Sequence, residues 1–326
     1  MEVLKFVIKS VLKMFLTLFL ILTFTFFLLN TVPGDPLAAR AEKMSESQHK
    51  VLEERYGLNK PVVERYFDTL GNVARGDFGV SVVNPESDVK ETILFRAPAS
   101  IRLGIQQMLL GIPLGMVLGI LAAYFKGRLI DKFVRIFSVV IISVPLMIVA
   151  ILLQRYIAGE LGLFPVIGWP KGSETWFGGW KYTVLPTIVG SLGYISSYSR
   201  LLRNSVLDTI SSEYIVSARA RGLSEFKIIK DHVIRNSFIP IITGLPLTLA
   251  MGITGSFFVE SIFNIPGLGK YYITAVQERD MPMILATTLL LAAIYVFFIM
   301  ITDICYKLVD PRINPFATRN QRGAMR

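Results

Sequence analysis

The residues that could perform catalysis or bind a metal are few in this chain of 326 residues. Its single cysteine, Cys305, excludes an intrachain disulfide framework and a cysteine-cluster metal site. Its two histidines, His49 and His232, leave few ligands for a catalytic zinc ion. The spacings G-x-x-x-x-G-K-[ST], H-E-x-x-H, G-x-S-x-G and C-x-x-C are all absent from the sequence. We therefore predict that the chain is not an enzyme and contains no catalytic, cofactor-binding or metal-binding residue.

The elements that position the remaining polar residues are predicted to be membrane-spanning helices. A composition of 52% hydrophobic and only 18% charged residues, with a mean hydropathy of +0.54, does not describe a water-facing surface. A helix needs roughly 20 apolar residues to cross a bilayer core. The sequence therefore predicts an all-α integral membrane protein with six transmembrane helices. These uncharged runs are Met14–Val32, Leu103–Phe125, Ile136–Gln154, Tyr182–Ser199, Ser237–Val259 and Met281–Thr302. The fourth contains several serines, which suit a helix that faces protein or a wet cavity.

The basic residues predict how these helices are oriented. Nineteen lysines and arginines fall in the two tails and in the connections between the second and third and the fourth and fifth runs. Because cytoplasmic segments carry the basic excess, both termini are predicted to be cytoplasmic in a multi-pass protein. The same distribution argues against nucleic-acid binding, since the charge is spread over four segments as topology demands. One alternative is a cleaved signal peptide in place of the first helix, because Ala38 and Ala39 follow it, although its apolar run is long for that role.

The segment between the first two helices is predicted to be folded and extracytoplasmic. Ser45–Gln48 has the spacing of a capping box, Gly57 would end that helix, and Pro61 would begin a second helix that continues through Leu70. We divide the chain accordingly. The divisions are a cytoplasmic tail and first helix (1–32), an extracytoplasmic segment (33–98), a core of five helices (99–308) with a cytoplasmic loop (200–236), and a cytoplasmic tail (309–326).

The most informative connection is Ser211–Asn236, which reads as two short helices. Ser211 or Ser212 can cap the first helix, and Gly222 followed by an apolar residue is a typical C-terminal stop. Ser224 can cap the second helix, which would place Phe226, Ile229 and Val233 on one face. Small residues at positions 217, 218 and 220 would permit close docking. Local physics leaves two interpretations, a docking element and an amphipathic loop that only anchors the protein at the membrane surface.

Three further features allow more than one interpretation. Gly111, Gly115 and Gly119 form a glycine stripe that permits close helix approach, either within this chain, which we favour, or against a partner, or at a hinge. Gly252 and Gly255, with Gly244 and Pro246, make the fifth helix breakable, for gating or for tight packing. Glu260, just beyond that helix, could meet the amino terminus of a solute, although an ion pair with Lys270 or Arg279 is the favoured expectation.

Several separated stretches of the sequence resemble the oligopeptide and dipeptide branch of ABC importer permeases, and the resemblance covers nearly the whole chain. In order, the stretches are Val32-Pro33-Gly34-Asp35-Pro36, Tyr56–Val62, Gly76-Asp77-Phe78-Gly79, Glu213–Leu223, His232–Asn236 with Pro240, Val259–Gly269 and Asp310-Pro311-Arg312. The chain departs from the general importer consensus where Val216, Ser217 and Ala218 stand in place of Glu-Ala-Ala. No single glutamate can therefore be carried over as the docking residue.

The resemblance implies a type I ABC importer permease fold and a complex of several subunits. The implied partners are a second homologous permease subunit, two cytoplasmic ATPase subunits that bind ATP and Mg, an extracytoplasmic peptide-binding protein and the lipid bilayer. The loop would couple ATP hydrolysis to the helices through the segment Ser212–Leu223. Its residues are Glu213, Tyr214, Ser217, Ala218, Arg219, Ala220, Arg221, Gly222 and Leu223.

We accordingly expect a permease subunit of an ATP-driven importer for oligopeptides or dipeptides in a bacterial or archaeal cytoplasmic membrane. The nearest alternative is an importer of nickel chelates or another small solute from the same branch. A membrane enzyme would need intramembrane carboxylate or histidine clusters. A stand-alone secondary transporter would be expected to show related inverted halves and intramembrane charges. The sequence shows neither set of features.

Overall fold

The computed structural model describes residues 2–31, 53–54, 57–170, 174–253 and 256–309. Helices dominate this part of the chain, and its β structure is one isolated antiparallel bridge between Val80 and Asp88. The α-helices are α1 (Glu2–Thr31), α2 (Val62–Ala74), α3 (Val89–Tyr124), α4 (Leu129–Ser143), α5 (Leu146–Leu153), α6 (Glu174–Phe177), α7 (Trp180–Ile210), α8 (Glu213–Ala220), α9 (Glu225–Ile228), α10 (Arg235–Ser237), α11 (Ile239–Ile253), α12 (Phe257–Ile262), α13 (Leu268–Gln277) and α14 (Met281–Val309). Two π-helical segments, Gln154–Glu160 and Ile229–Ile234, follow α5 and α9 directly.

Four helical regions of the described chain are long and apolar enough to cross a membrane, namely Ile8–Thr31, Val89–Tyr124, Glu225–Ile262 and Met281–Thr302. The pair Leu129–Ser143 and Leu146–Glu160 would make a fifth if it forms one bent span. The predicted fourth span, Tyr182–Ser199, lies in α7, which is long but is not one of these apolar regions. The serines of α7 make it less apolar than the other long helices. Ser191, Ser196 and Ser199 are buried against protein, which agrees with the expectation drawn from the serine content of this run.

The predicted third span, Ile136–Gln154, is not one straight helix. α4 ends at Ser143, α5 begins at Leu146, and the two directions differ by 97°. Pro145 is the cause, because a proline disfavours helical geometry in the residue before it. Val144 accordingly adopts an extended conformation, with φ −92° and ψ 123°.

By the density of their contacts, the described residues form two compact units. The first unit takes the described residues within 1–105, 149–186 and 253–294. One of its cores joins α3, α13 and α14 through Val89, Ile93, Leu268 and Ile284. A second core packs Leu22 and Phe26 of α1 on Tyr66 of α2 and on Leu285 and Leu289 of α14.

The segment between the first two long helices is folded where the structure describes it. Pro61 precedes α2, as predicted. Gly57 has a φ of +62° and its amide donates to Glu54 O, but most of the helix that it was predicted to end lies outside the described residues. Thr23 and Tyr66 share a hydrogen bond of 2.8 Å that ties α2 to α1. The predicted capping box Ser45–Gln48 and the motifs at 32–36 and 310–312 lie outside the described residues.

The second unit takes the described residues within 106–148, 187–252 and 295–326. Its core joins the C-terminal half of α7 to the loop that follows it. Leu202 and Val206 of α7 pack with Ile215 of α8, Ile228 of α9 and Ile241 of α11. This core is the base on which the loop Ser211–Asn236 rests.

Candidate functional site

The first half of the loop Ser211–Asn236 is a short helix with a well-formed C-terminal stop. Ser212 is extended at the N-cap position of α8, with φ −72° and ψ 148°, and its hydroxyl donates to Thr209 O rather than capping an amide of α8. Gly222 has a φ of +79°. Its amide donates to Arg219 O at 2.9 Å, and the Leu223 amide donates to Ala218 O at 3.3 Å. This pair of bonds is a Schellman motif, as the sequence predicted.

The second half of the loop is a short α-helix that runs into a π-helix. Ser224 caps α9 as predicted, because its Oγ accepts from the Lys227 amide at 3.4 Å. The predicted apolar face is wrong, however, because Phe226 is 76% exposed whereas Ile228 is fully buried. In the π-helical segment Ile229–Ile234, side chains five residues apart align, so Ile228 and Val233 share the buried face.

The two halves are held in a fixed bend by side chains as well as by the core. Arg219 donates from Nε and Nη2 to the two carboxylate oxygens of Glu225, at 2.7 and 3.2 Å. This contact raises the pKa of the Arg219 guanidinium above its ordinary value. The amide of Asn236 donates to the Tyr214 hydroxyl at 2.8 Å, which joins the end of the loop to its start. Because these contacts are exposed, the buried apolar face contributes more to holding the bend.

The loop therefore has an inner and an outer face. Ile215 and Ala218 are buried against the core, so Ala218 is not available for docking, contrary to the prediction. The outer face of the loop is defined here by the exposed side chains Glu213, Tyr214, Ser217, Ala220 and Arg221. Arg219 and Gly222 are also exposed, and Leu223 is half-buried. The described residues contain no group of three or more histidine, cysteine, aspartate or glutamate side chains that could hold a metal.

The glycine stripe packs within this chain, as the favoured interpretation predicted. A Cβ added to Gly111 would lie 2.8 Å from Ser191 O, and one added to Gly115 would lie 2.8 Å from Ile195 O. At Gly119 the corresponding distance is 2.7 Å, to Ser199 O. These distances are shorter than a Cβ can tolerate, so α3 and α7 meet with their backbones nearly in contact. Gly252 of α11 similarly faces Met108 of α3, whereas Gly255 lies outside the described residues.

Glu260 is fully buried, and its donors are not the basic side chains that the sequence suggested. Its carboxylate accepts from the Ser100 hydroxyl at 2.7 Å and from the amides of Gly269 and Lys270 at 2.8 and 3.2 Å. Among the described residues no ion pair joins it to Lys270, whose ammonium contacts Asn264 instead. The carboxylate therefore fastens the turn between α12 and α13 to α3. In this conformation it is closed to a solute.

Two models of known protein families match this chain, one in each of two consecutive stretches. Residues 115–315 match the model of the family described as binding-protein-dependent transport system inner membrane component. Residues 3–104 match the model described as binding-protein-dependent transport system membrane component, N-terminal. The chain belongs to this family of transport-system membrane components.

Named relatives cover nearly the whole of this membrane component. It is 37% identical over 309 residues to the dipeptide transport system permease protein DppB of Lactococcus lactis, covering 95% of this chain and 99% of the relative. It is 35% identical to the DppB protein of Bacillus subtilis, covering 95% and 97%. It is also 33% identical to the oligopeptide transport system permease protein OppB of Haemophilus influenzae, covering 95% and 99%. Family membership and the apolar helices together indicate a multi-pass membrane protein.

Sequence reasoning missed a buried ion pair in this membrane component. Asp131 of α4 is 1% exposed, and Arg203 of α7 donates to both of its oxygens, at 2.6 and 3.0 Å. The Gly127 amide also donates to Asp131, at 2.8 Å. An acidic residue among four basic ones between positions 126 and 135 was the only local signal, because Arg203 lies 72 residues away.

A buried arginine in the first unit was missed for a similar reason. Arg102 is 4% exposed; it donates to Gly178 O at 2.6 Å, and its guanidinium lies over the Trp169 ring. The sequence placed it just outside an apolar run, where an arginine ordinarily extends to the membrane interface. Here it instead joins α3 to the connection before α7.

Proposed function

We propose that this chain is the transmembrane permease subunit of an ATP-driven ABC importer for oligopeptides or dipeptides. The observation that carries the proposal is the bent loop, whose inner face is locked into the core of the second unit while its outer face is exposed. Family membership and the names of the relatives support this importer class. They also favour peptides over nickel chelates as the solute. A second homologous permease subunit would supply the other half of the path, and a peptide-binding protein would deliver the solute.

The loop would act as the coupling element. An ATPase dimer that closes on ATP can bias membrane helices only through a contact that does not deform. The segment Ser212–Leu223 meets this requirement, because Ile215 and Ala218 are anchored beside Leu202 and Val206 of α7. A push on the outer face would therefore reach α7 directly. ATP and Mg would be bound by the ATPase subunits, and this chain would contribute no catalytic residue.

The same proposal includes six membrane crossings with both termini in the cytoplasm. It counts the bent pair α4–α5 as one span and α7 as another, although α7 is the least apolar. Residues 33–98, which contain α2, would then be extracytoplasmic. The charge distribution supports this arrangement, because nineteen basic residues fall on the proposed cytoplasmic side.

The coupling role can be tested with Ala220→Trp in the complex purified with its co-purifying subunits. Ala220 is exposed on the outer face, so a bulky side chain there should obstruct docking without disturbing the core. We expect peptide transport and peptide-stimulated ATP hydrolysis to fall on the order of tenfold or more, which corresponds to a loss of about 1.4 kcal/mol. Leu129→Trp, at a position 82% exposed elsewhere in the second unit, is the matched control and should leave both unchanged.

Survival of both activities in the Ala220→Trp complex would refute the coupling assignment. The solute class is tested separately in the wild-type complex, by asking which solute stimulates ATP hydrolysis. Stimulation by dipeptides or oligopeptides is expected. Stimulation by a nickel chelate and not by peptides would instead support the alternative from the same branch.

A further inference from the structure

A cavity of about 160 Å³ in the first unit lies where the end of α1 meets α2 and the start of α14. Although most of its lining is apolar, five polar side chains also line it, namely Asn30, Arg65, Thr69, Asn72 and Asp77. It therefore combines one cationic group, one anionic group, two amides and one hydroxyl. Among the described residues, no ion pair joins Arg65 to Asp77.

The guanidinium of Arg65 has one N–H group without a hydrogen-bond acceptor in the described chain. Its Nη2 donates to Asn30 Oδ1 at 2.6 Å, but its Nε is buried and has no hydrogen-bond partner within the described chain. A buried donor on a charged group is costly when it is left unpaired. The cavity thus offers a site for an anionic oxygen. Asp77, whose Oδ1 accepts from the Gly79 amide at 2.8 Å, adds a site for a cation.

An apolar groove of about 600 Å³ adjoins this cavity and shares Val73 and Phe78 with it. Side chains of α1, α2, α3 and α14 line the groove, and Lys90 is the one charged residue among them. Its volume lies in the range of roughly 300–1,000 Å³ that is usual for small-molecule sites. Two of these helices, α1 and α14, are apolar over lengths that could cross a membrane, so a hydrocarbon chain is the kind of occupant that the groove matches.

We propose that the cavity and the groove together bind one glycerophospholipid with an amine-bearing headgroup, such as phosphatidylethanolamine. The phosphate accepts from the Arg65 guanidinium, the ammonium donates to Asp77, and one acyl chain lies in the groove beside Val73 and Phe78. A phosphate and an ammonium on one headgroup match the two opposite charges of the cavity, which a purely anionic headgroup does not. The inference does not depend on which solute is transported.

The test is the amount of phospholipid that stays with the purified complex, measured by native mass spectrometry and by lipid extraction. Arg65→Gln removes the phosphate contact, and Ala74→Trp fills the groove. We expect each to lower retained phosphatidylethanolamine by one molecule per copy of this chain, with affinity reduced on the order of tenfold. Arg75→Gln and Val63→Trp, at exposed positions on or next to α2 that line neither space, are the matched controls and should retain the wild-type amount.

Headgroup exchange distinguishes this site from ordinary annular lipid. The delipidated wild-type complex should take up phosphatidylethanolamine in preference to phosphatidylglycerol, and Asp77→Asn should reduce that preference. Equal retention in all four variants, or equal uptake of the two lipids, would overturn the proposal. So would displacement of the lipid by a dipeptide, or cross-linking of the groove, through Leu94→Cys, to the second permease subunit. If Ala74→Trp does not assemble, the pair Arg65→Gln and Arg75→Gln still decides the outcome.

Discussion

Three glycines and three carbonyl oxygens define a close contact between two helices, α3 and α7, in the second unit. Gly111, Gly115 and Gly119 recur every four residues on α3, and the carbonyls of Ser191, Ile195 and Ser199 recur every four residues on α7. The two repeats have equal spacing, so each glycine meets a backbone oxygen. Without a hydrophobic force between helices in lipid, such close packing is a principal source of their association.

The close contact between α3 and α7 predicts opposite effects on thermal stability for two glycine-to-alanine changes. Gly115→Ala should lower the melting temperature of the complex, because its Cβ would lie 2.8 Å from Ile195 O and overpacking costs about 1–3 kcal/mol. Gly193→Ala, on α7 with no atom within 4 Å, should leave it unchanged or raise it, since alanine favours a helix by up to about 1 kcal/mol. Thermal unfolding in detergent measures both. Equal shifts would contradict the close contact.

At the scale of single residues, the sequence predicted which positions matter better than it predicted the groups that they contact. The glycine stripe follows from its spacing, but nothing local indicates that α7 carries the opposing carbonyls. The donors to Glu260 were missed because two of them are backbone amides and the third, Ser100, lies 160 residues away. Arg203, the partner of Asp131, was missed for the same reason. Long-range polar contacts depend on the completed fold, and residue types alone do not specify them.

The loop between α7 and α11 is the element that the sequence specified most fully. Both short helices, the Gly222 stop and the Ser224 cap were predicted, because each rests on local chemistry. The buried face of the second helix was predicted wrongly, since the prediction used the period of an α-helix. The π-helical segment Ile229–Ile234 shifts that period, and Ile228 with Val233 takes the inner face. The 97° bend between α4 and α5 was not predicted, although Pro145, which causes it, lies inside the run predicted as one span.

Gly222 should be replaceable by asparagine but not by valine. Its φ of +79° is accessible to asparagine and strained for a β-branched residue, by about 1–2 kcal/mol. No atom lies within 4 Å of an added Cβ, so backbone strain and not crowding sets the difference. We expect the amides of Gly222→Val at positions 222 and 223 to exchange hydrogen on the order of tenfold faster than those of Gly222→Asn. Hydrogen exchange with mass spectrometry measures this directly, and identical exchange in the two variants would show that the Schellman motif does not hold the bend.

For the whole molecule, the distribution of basic residues predicts which side of the membrane each connection faces. The lengths of the apolar helices alone do not give the number of membrane crossings. By length and composition the described chain contains four candidate spans, or five with the bent pair, and α7 is the one proposed crossing that this criterion does not include. Its polar residues are buried against its own neighbours: Ser196 Oγ donates to Ser138 O at 3.0 Å, and Ser199 shares a hydrogen bond with Ser138. A helix whose polar groups are satisfied in this way can lie in a membrane without being apolar on every face.

Single-cysteine labelling decides whether α7 crosses the membrane. In a Cys305→Ser background, which removes the only native cysteine, four exposed positions are changed one at a time: Val63→Cys, Lys126→Cys, Leu163→Cys and Lys227→Cys. Six crossings with cytoplasmic termini predict that a membrane-impermeant maleimide labels positions 63 and 163 in intact cells, and labels 126 and 227 only after permeabilisation. Positions 163 and 227 flank α7. If both label from the same side, α7 does not cross. Labelling of both in intact cells would place the loop Ser211–Asn236 on the side opposite to any cytoplasmic ATPase, and the coupling role proposed for it would be physically impossible. Labelling of both only after permeabilisation would leave the loop cytoplasmic and refute only the six crossings.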